Sequence, residues 1–304
     1  DPPAQEARLM AAPVEFPELQ SPPRPAAAPP KRGRSLYLAA VYAILAVAAV
    51  ISVIPFLYVI STSFKDTVAL FSYPPEWIPK QPTLENFRSL VRDYPFVRWT
   101  INSLIVASAV TVIKVFIDSM AGYAFAKMQF PGKDALFVVV LATLMIPFAA
   151  TLIPLFLIVR NLGLTNTYAG LILPALASPI GIFMMRQFIE TLPGDLENAA
   201  RLDGCSEFEV YRKVILPLIR PGMVVLGIFT FMTQWTSYLW PLVIGTKPEM
   251  FTLTVGVQSL RSLFTVNWGV LSAGAVLSML PLVIVFLFLQ RYFIAGSIAG
   301  ALKE

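Results

Sequence analysis

Six long apolar stretches, at residues 36–60, 99–125, 135–159, 168–189, 216–244 and 270–293, alternate with more polar segments along the chain. Each is close to the roughly 20 residues that a helix needs to cross the hydrocarbon core of a bilayer. Apolar residues follow one another without interruption, as in Leu282-Val283-Ile284-Val285-Phe286-Leu287. A β-barrel strand would instead alternate every second residue. The pattern predicts an all-α integral membrane protein with six transmembrane helices. Prolines fall within these stretches, at Pro147, Pro154, Pro174, Pro179, Pro221 and Pro281. Each removes a backbone donor and bends its helix, and neighbouring helices can re-satisfy the freed groups. Two readings follow: ordinary tolerance of proline, or flexing points in a bundle that rearranges around a central path.

Residues 1–35 differ from everything after them. Pro2, Pro3, Pro13, Pro17, Pro22, Pro23, Pro25, Pro29 and Pro30 punctuate a mixture with little to bury, which predicts a disordered tail. The basic cluster Lys31, Arg32 and Arg34 abuts a run long enough to span, so a retained anchor is expected here, not a cleaved leader. The expected organisation is thus a tail over 1–35 and a six-helix domain over 36–304. With the amino terminus inside, 14 of the 23 Lys and Arg residues fall on the inner side and eight outside, with Lys114 within a span. This favours both termini in the cytoplasm.

Composition agrees. Residues are 57% hydrophobic and only 13% charged, against about 25% charged in an ordinary soluble domain. A soluble chain of this length would lack the polar groups to cover its surface, whereas lipid supplies an apolar solvent. The net charge of +5 would otherwise suggest nucleic acid, but basic residues flanking membrane spans account for it, so no nucleic-acid partner is expected. There is no histidine and a single cysteine, Cys205. No metal site, cofactor or serine–histidine chemistry is therefore expected.

The most informative polar segment covers residues 190–216. After Pro193-Gly194, Asp195 is a natural helix N-cap and Glu197 sits in the first turn, where the helix dipole favours negative charge. Gly204 supplies the left-handed residue that ends this helix. Ser206 and Glu209 then form a capping box that starts a second one. Leu196, Ala199, Ala200 and Asp203 share a face at helical spacing, and its two central side chains are small enough for another surface to approach closely. The face carries little with which to enter lipid, so a protein groove is the expected receptor.

Residues 197–204, followed by Ile215-Leu216-Pro217, resemble the EAA loop of the permease subunits of ABC importers. Asn198, Ala199, Ala200 and Gly204 stand on the motif's Glu, Ala, Ala and Gly, with Glu197 beside the departing Asn198. Three further blocks resemble the carbohydrate-type subfamily. They are Ala121-Gly122-Tyr123-Ala124-Phe125-Ala126 with Phe130-Pro131-Gly132-Lys133; Asn267-Trp268-Gly269; and Gln290-Arg291-Tyr292-Phe293 with Gly296 and Gly300. Within it the chain is similar to the smaller, six-span partner of maltose- and glycerol-phosphate-type importers.

The resemblance implies a type I ABC importer permease fold in a bacterial inner membrane. It also implies a second homologous permease subunit, two ATP-binding ATPase subunits, an extracytoplasmic solute-binding protein and a sugar substrate. Glu197, Asn198, Ala199, Ala200, Asp203 and Gly204 would couple to the ATPase. No Gly-x-x-x-x-Gly-Lys-Ser/Thr loop is present, Gly132-Lys133-Asp134 being the nearest look-alike. ATP hydrolysis is accordingly expected in a separate subunit, and this chain is not expected to be an enzyme.

Lys114 and Asp118 form an ionisable pair inside a span, four residues apart on one helix face. The functional reading is a gate or proton-coupling site; the plainer one is an intrahelical ion pair facing the bundle. In the stretch Gln234-Trp235-Thr236-Ser237-Tyr238-Leu239-Trp240-Pro241, amide, hydroxyl and flat aromatic groups suit a hydroxyl-rich solute. Gln234, Trp235 and Tyr238 are the candidate path residues, and Trp240 is assigned to the aromatic belt at the outer interface. A secondary transporter, and an ABC permease for a non-sugar solute, remain as alternatives. An intramembrane enzyme would need catalytic groups that the spans lack.

Overall fold

The computed structural model describes residues 32–66, 70, 72–261 and 266–301. The predicted tail lies outside these residues as far as position 31. The chain divides into two units, Asp1–Val53 and Ile54–Glu304. In the first, the described residues belong to helix α1 (Arg32–Ser63), where Tyr37, Leu45, Val50 and Ile51 are all exposed. A helix apolar on every face has no side that prefers water, so lipid or another apolar surface must cover it.

The second unit carries the end of α1 and then α2 (Glu85–Asp93), α3 (Phe96–Lys127), α4 (Lys133–Ala142) and α5 (Phe148–Asn161). It continues with α6 (Tyr168–Ile172), α7 (Pro179–Glu190), α8 (Asp195–Leu202), α9 (Glu207–Val210), α10 (Leu216–Leu218) and α11 (Arg220–Trp235). α12 (Leu239–Ile244), α13 (Leu253–Ser259) and α14 (Trp268–Ala301) complete it.

Among the described residues, three helices are individually long and apolar enough to cross a membrane, at Tyr37–Ser63, Phe96–Lys127 and Trp268–Phe288. Three further crossings arise only if bent pairs are each counted as one span: Lys133–Met145 with Phe148–Asn161, bent by 100°; Tyr168–Ala175 with Pro179–Glu190, bent by 47°; and Glu207–Leu218 with Arg220–Trp235, bent by 78°. The third, fourth and fifth predicted spans are therefore not continuous helices.

The breaks have local causes. Ile146 before Pro147 is extended (φ −86°, ψ 113°), and so is Ser178 before Pro179 (φ −149°, ψ 108°). The proline ring excludes the residue before it from helical geometry. The fifth span suffers most. It turns at Ile219, just ahead of Pro221, ends at Trp235 and resumes only at Leu239. Pro154 and Pro281, by contrast, sit within helices that continue through them.

The core forms around α3, which packs most extensively on α7 and α11. Close approach of α3 to α7 depends on two glycines. A Cβ on Gly122 would lie 2.7 Å from that of Met185, and one on Gly181 would overlap the carboxylate of Asp118. Small residues at helix crossings in membranes let backbones meet in this way. The first turns of α3 gather the loops at that end. Trp99 Nε1 donates to the Pro248 carbonyl (3.0 Å), and Asn102 Nδ2 donates to the carbonyls of Glu249 (2.8 Å) and Phe251 (2.9 Å). Tyr168 donates to Asn102 Oδ1 (2.7 Å). The Asn267-Trp268-Gly269 block starts α14. Asn267 Oδ1 accepts from the Val270 amide (3.1 Å), and Gly269 leaves room for Asn86.

Candidate functional site

The first candidate region is the loop built on α8 and α9. Gly194, not Asp195, occupies the cap position of α8, and Asp195 and Glu197 both enter its first turn. Gly204 has φ +82° and closes the helix, with the Cys205 amide reaching the Ala200 carbonyl (3.0 Å). The predicted capping box is present. Ser206 Oγ accepts from the Glu209 amide, and Glu209 Oε2 accepts from the Ser206 amide (3.0 Å). One π-helical turn (Tyr211–Ile215) then leads towards the membrane helix.

The expected grouping of Leu196, Ala199, Ala200 and Asp203 on one open face is corrected by the fold. Glu197 and Ala200 turn inward, 2% and 8% exposed, while Leu196 is half-exposed and Leu202 is 89% exposed. Ala200 joins a cluster containing Tyr123, Met185, Val210, Tyr211 and Ile215. The outward face presents Leu196, Asn198, Ala199, Leu202 and Asp203. A helix face is decided by what it packs on, and the spacing of small residues did not reveal which side that was.

The inward face is held by charge. Glu197 pairs with Lys127 Nζ at 3.0 Å and with Arg201 at 3.6 Å, and Lys127 also donates to the Leu192 carbonyl (2.7 Å). Arg201 Nε donates to Glu207 Oε1 (2.8 Å), and Tyr123 donates to Glu207 Oε2 (2.8 Å). The hydrogen bond to Glu207 raises the guanidinium of Arg201 above its ordinary pKa, and burial opposes it only in part. Tyr211 and Ser119 hydroxyls hydrogen-bond at 2.7 Å in the interior. Lys127 and Tyr123, both on α3, thus bind the loop to a membrane-crossing helix, and sequence reasoning gave neither that role. The position of Lys127 in the last turn of a long span was the available signal.

The second region is a cavity of about 450 Å³ lined by Lys114, Ser178, Gln234, Ser237, Tyr238 and Trp240, with Phe148 and Leu155 among its apolar residues. Its volume lies within the roughly 300–1,000 Å³ usual for small-molecule sites. Two of the breaks in the bent spans border it, Phe148 following the first and Ser178 closing the second, and Ser237 and Tyr238 come from the separate interruption between α11 and α12. Unwound backbone is tolerated at membrane depth where it is buried in protein or borders such a space.

Of the three predicted path residues, Gln234 and Tyr238 line the cavity and Trp235 does not. Trp235 is 3% exposed, stacks on Phe231 at 5.8 Å and donates from Nε1 to the Ser278 carbonyl (3.0 Å). Trp240, assigned by sequence to an interfacial belt, is instead buried, and its Nε1 donates to the Gly170 carbonyl (3.1 Å). In both, tertiary packing overrides an aromatic pattern that reads the same in either setting.

The expected Lys114–Asp118 ion pair is not formed. Asp118 is fully buried against Gly181, in the first turn of α7, and among the described residues its carboxylate oxygens have no hydrogen-bond partner. Lys114 lines the cavity one turn away. A lysine at the centre of a spanning helix costs about 2.5–3.5 kcal/mol on insertion scales.

Comparison with known proteins follows the same lines. Residues 118–296 match the family described as binding-protein-dependent transport system inner membrane component. The arabinooligosaccharides transport system permease protein AraQ of Halalkalibacterium halodurans is 38% identical, over 84% of this chain and 92% of its own. The sulfoquinovosyl glycerol transport system permease protein SmoH of Agrobacterium fabrum is 34% identical, over 82% of this chain and 88% of its own. In fold, the chain resembles a crystal structure of a bacterial ABC transporter involved in the import of the acidic polysaccharide alginate. The TM-score is 0.79 at 22% identity, covering 87% of this chain and 99% of that one. These relatives are transport permeases and not enzymes. The chain belongs to the family of binding-protein-dependent transport system inner membrane components and is a membrane-spanning permease of the ABC importer type.

Proposed function

We propose that this chain forms half of the translocation pore of an ATP-driven importer for a sugar or related polyol. It sits in a bacterial inner membrane with both termini in the cytoplasm, beside a second homologous permease. Two ATPase subunits hydrolyse ATP, and an extracytoplasmic binding protein delivers the solute. The names of the relatives, concerned with arabino-oligosaccharides and sulfoquinovosyl glycerol, support a hydroxyl-rich solute.

The observation that carries this reading is the two-sided character of α8. Its inner side is fastened to α3 through Glu197 and Lys127, and its outer side leaves Leu196, Ala199 and Leu202 bare. A helix held rigidly beneath and apolar above transmits a push from a groove-bearing partner to the membrane helices. Asn198, Ala199, Asp203 and Gly204 border that docking face, while Glu197 and Ala200 position it. Gln234 and Tyr238 contribute to the solute path.

The test is reconstitution. With all subunits in proteoliposomes, saccharide uptake requires ATP, and Leu202→Cys crosslinks to the ATPase subunit. Uptake by this chain alone, driven by an ion gradient, would overturn the reading in favour of a secondary transporter. Labelling of Leu202→Cys from the extracytoplasmic side would overturn it as well.

A further inference from the structure

We propose that the cavity beside Lys114 takes a saccharide bearing an anionic oxygen group, a carboxylate or a sulfonate, with Lys114 as its counter-charge. The inference rests on the reading of the chain as a saccharide permease and names the class of solute.

Three observations carry it. First, Lys114 makes no hydrogen bond or ion pair among the described residues, although a carboxylate stands one helical turn away on the same helix. Asp118 lies fully buried against Gly181, where only a glycine leaves room for it, and does not come within ion-pair distance of the ammonium. The ammonium is therefore left to the cavity. Second, the other polar groups on the wall are also unengaged among the described residues: the amide of Gln234 and the hydroxyls of Ser178, Ser237 and Tyr238. Together with the lysine they place several hydrogen-bond donors on the wall of one space. A neutral sugar needs such amides and hydroxyls, but it offers nothing to an ammonium beyond what another hydroxyl would provide. Third, the wall also carries Phe148, Leu155, Leu239 and Trp240, and beside such low-dielectric walls an attraction between opposite charges is felt more strongly than on an open polar surface.

The charge set also suits a passage better than a trap. One flexible ammonium, without the two-pronged grip of an arginine, attracts an anion and lets it go. Conduction requires that combination of entry and release.

The test compares acidic and neutral solutes in one preparation. The full importer, with its second permease, ATPase subunits and binding protein, is placed in proteoliposomes. ATP-driven uptake is measured for trigalacturonate, for sulfoquinovose and for the neutral trisaccharide galactotriose. The readout is the ratio of acidic to neutral uptake, with Lys114 unchanged and in Lys114→Gln. The binding protein is common to both, so its own preference cancels.

The ratio is expected to fall about ten-fold or more in Lys114→Gln for at least one acidic solute, as when one member of a desolvated charge pair is lost. Lys114→Arg retains most of the ratio and shows that charge, not packing, is responsible. If trigalacturonate alone responds, the group is a carboxylate; if sulfoquinovose alone responds, it is a sulfonate. An unchanged ratio, including the case where Lys114→Gln lowers every uptake together, overturns the proposal and makes Lys114 a contact to another subunit. Should Lys114→Gln fail to assemble, Lys114→Met, which removes the charge and keeps the length of the side chain, takes its place. An acidic-to-neutral ratio that falls in Lys114→Met relative to Lys114→Arg supports the proposal, and equal ratios overturn it. Absence of ATP-driven uptake of every saccharide would sink the permease reading itself, and this inference with it.

Discussion

Lys127, in the last turn of α3, and Glu197, in the first turn of α8, form an ion pair at 3.0 Å with side chains 13% and 3% exposed. The contact ties the helix proposed to meet the ATPase to the helix around which the rest of the bundle packs. Lys127 also holds the Leu192 carbonyl at 2.7 Å, so one ammonium fastens both the approach to α8 and α8 itself. A movement imposed on the outer face of α8 therefore reaches α3 without slack.

Removing Lys127 leaves Glu197 buried with only the longer contact to Arg201, at 3.6 Å. Lys127→Met is expected to destabilise the loop, by less than the roughly 3–5 kcal/mol of a buried charge left with no partner at all. Amide hydrogen exchange in α8 rises, and transport falls more than ATP hydrolysis does. The double variant Lys127→Met with Glu197→Gln costs less than the sum of the two single changes, which a double-mutant cycle measures directly.

Leu202 and Ala200 separate docking from folding. Leu202 is almost fully exposed, so Leu202→Asp changes the stability of the isolated chain by no more than about 0.5 kcal/mol. Its effect is on the complex: co-purification of the ATPase subunits is lost. Ala200→Leu does the reverse, overpacking the cluster around Tyr211 and Ile215 at a cost of about 1–3 kcal/mol. A thermal-shift assay on the chain in detergent, beside a pull-down, distinguishes the two.

Trp235 and its neighbours Gln234 and Tyr238 are expected to part company on substitution. Trp235→Ala empties a buried site and gives up the bond to Ser278, lowering stability by about 3–5 kcal/mol. Gln234→Ala and Tyr238→Ala leave the melting temperature close to its starting value and change the KM for uptake. A Trp235→Ala variant that melts normally while altering solute preference would place that indole in the path after all.

Gly122→Ala inserts a methyl group 2.7 Å from Met185 Cβ and 2.9 Å from the backbone nitrogen of Arg186. The backbone cannot give way as a flexible side chain would, and a loss of about 1–3 kcal/mol is expected. Met185→Gly also costs stability, by emptying a buried site, but if close approach is the cause the two changes together cost less than their sum, as a double-mutant cycle on melting measures.

The membrane character, the helical class, the left-handed Gly204 and the Ser206–Glu209 box were all legible before any coordinates. Each depends on residues near one another in sequence. Continuous apolar runs demand lipid, a positive φ favours glycine, and a capping box closes within four positions. The prolines also announced the breaks before Pro147 and Pro179, although not the size of the bends.

What the chain alone left undecided depends on partners distant in sequence. Ala199 and Ala200 are adjacent and chemically the same, and only packing against Tyr211 and Ile215 turns the second inward. Lys114 and Asp118 have the spacing of an ion pair, and only the glycine at position 181, on another helix, draws the carboxylate away. Trp235 and Trp240 carry the same ring as an interfacial tryptophan, and only packing buries both, with hydrogen bonds to Ser278 and Gly170, and leaves Trp240 alone of the two on the cavity wall. Local rules of charge, hydropathy and backbone geometry therefore determine which elements form. Which face of each element is buried, and which polar group is left free to act, is a property of contacts that exist only once the helices have packed.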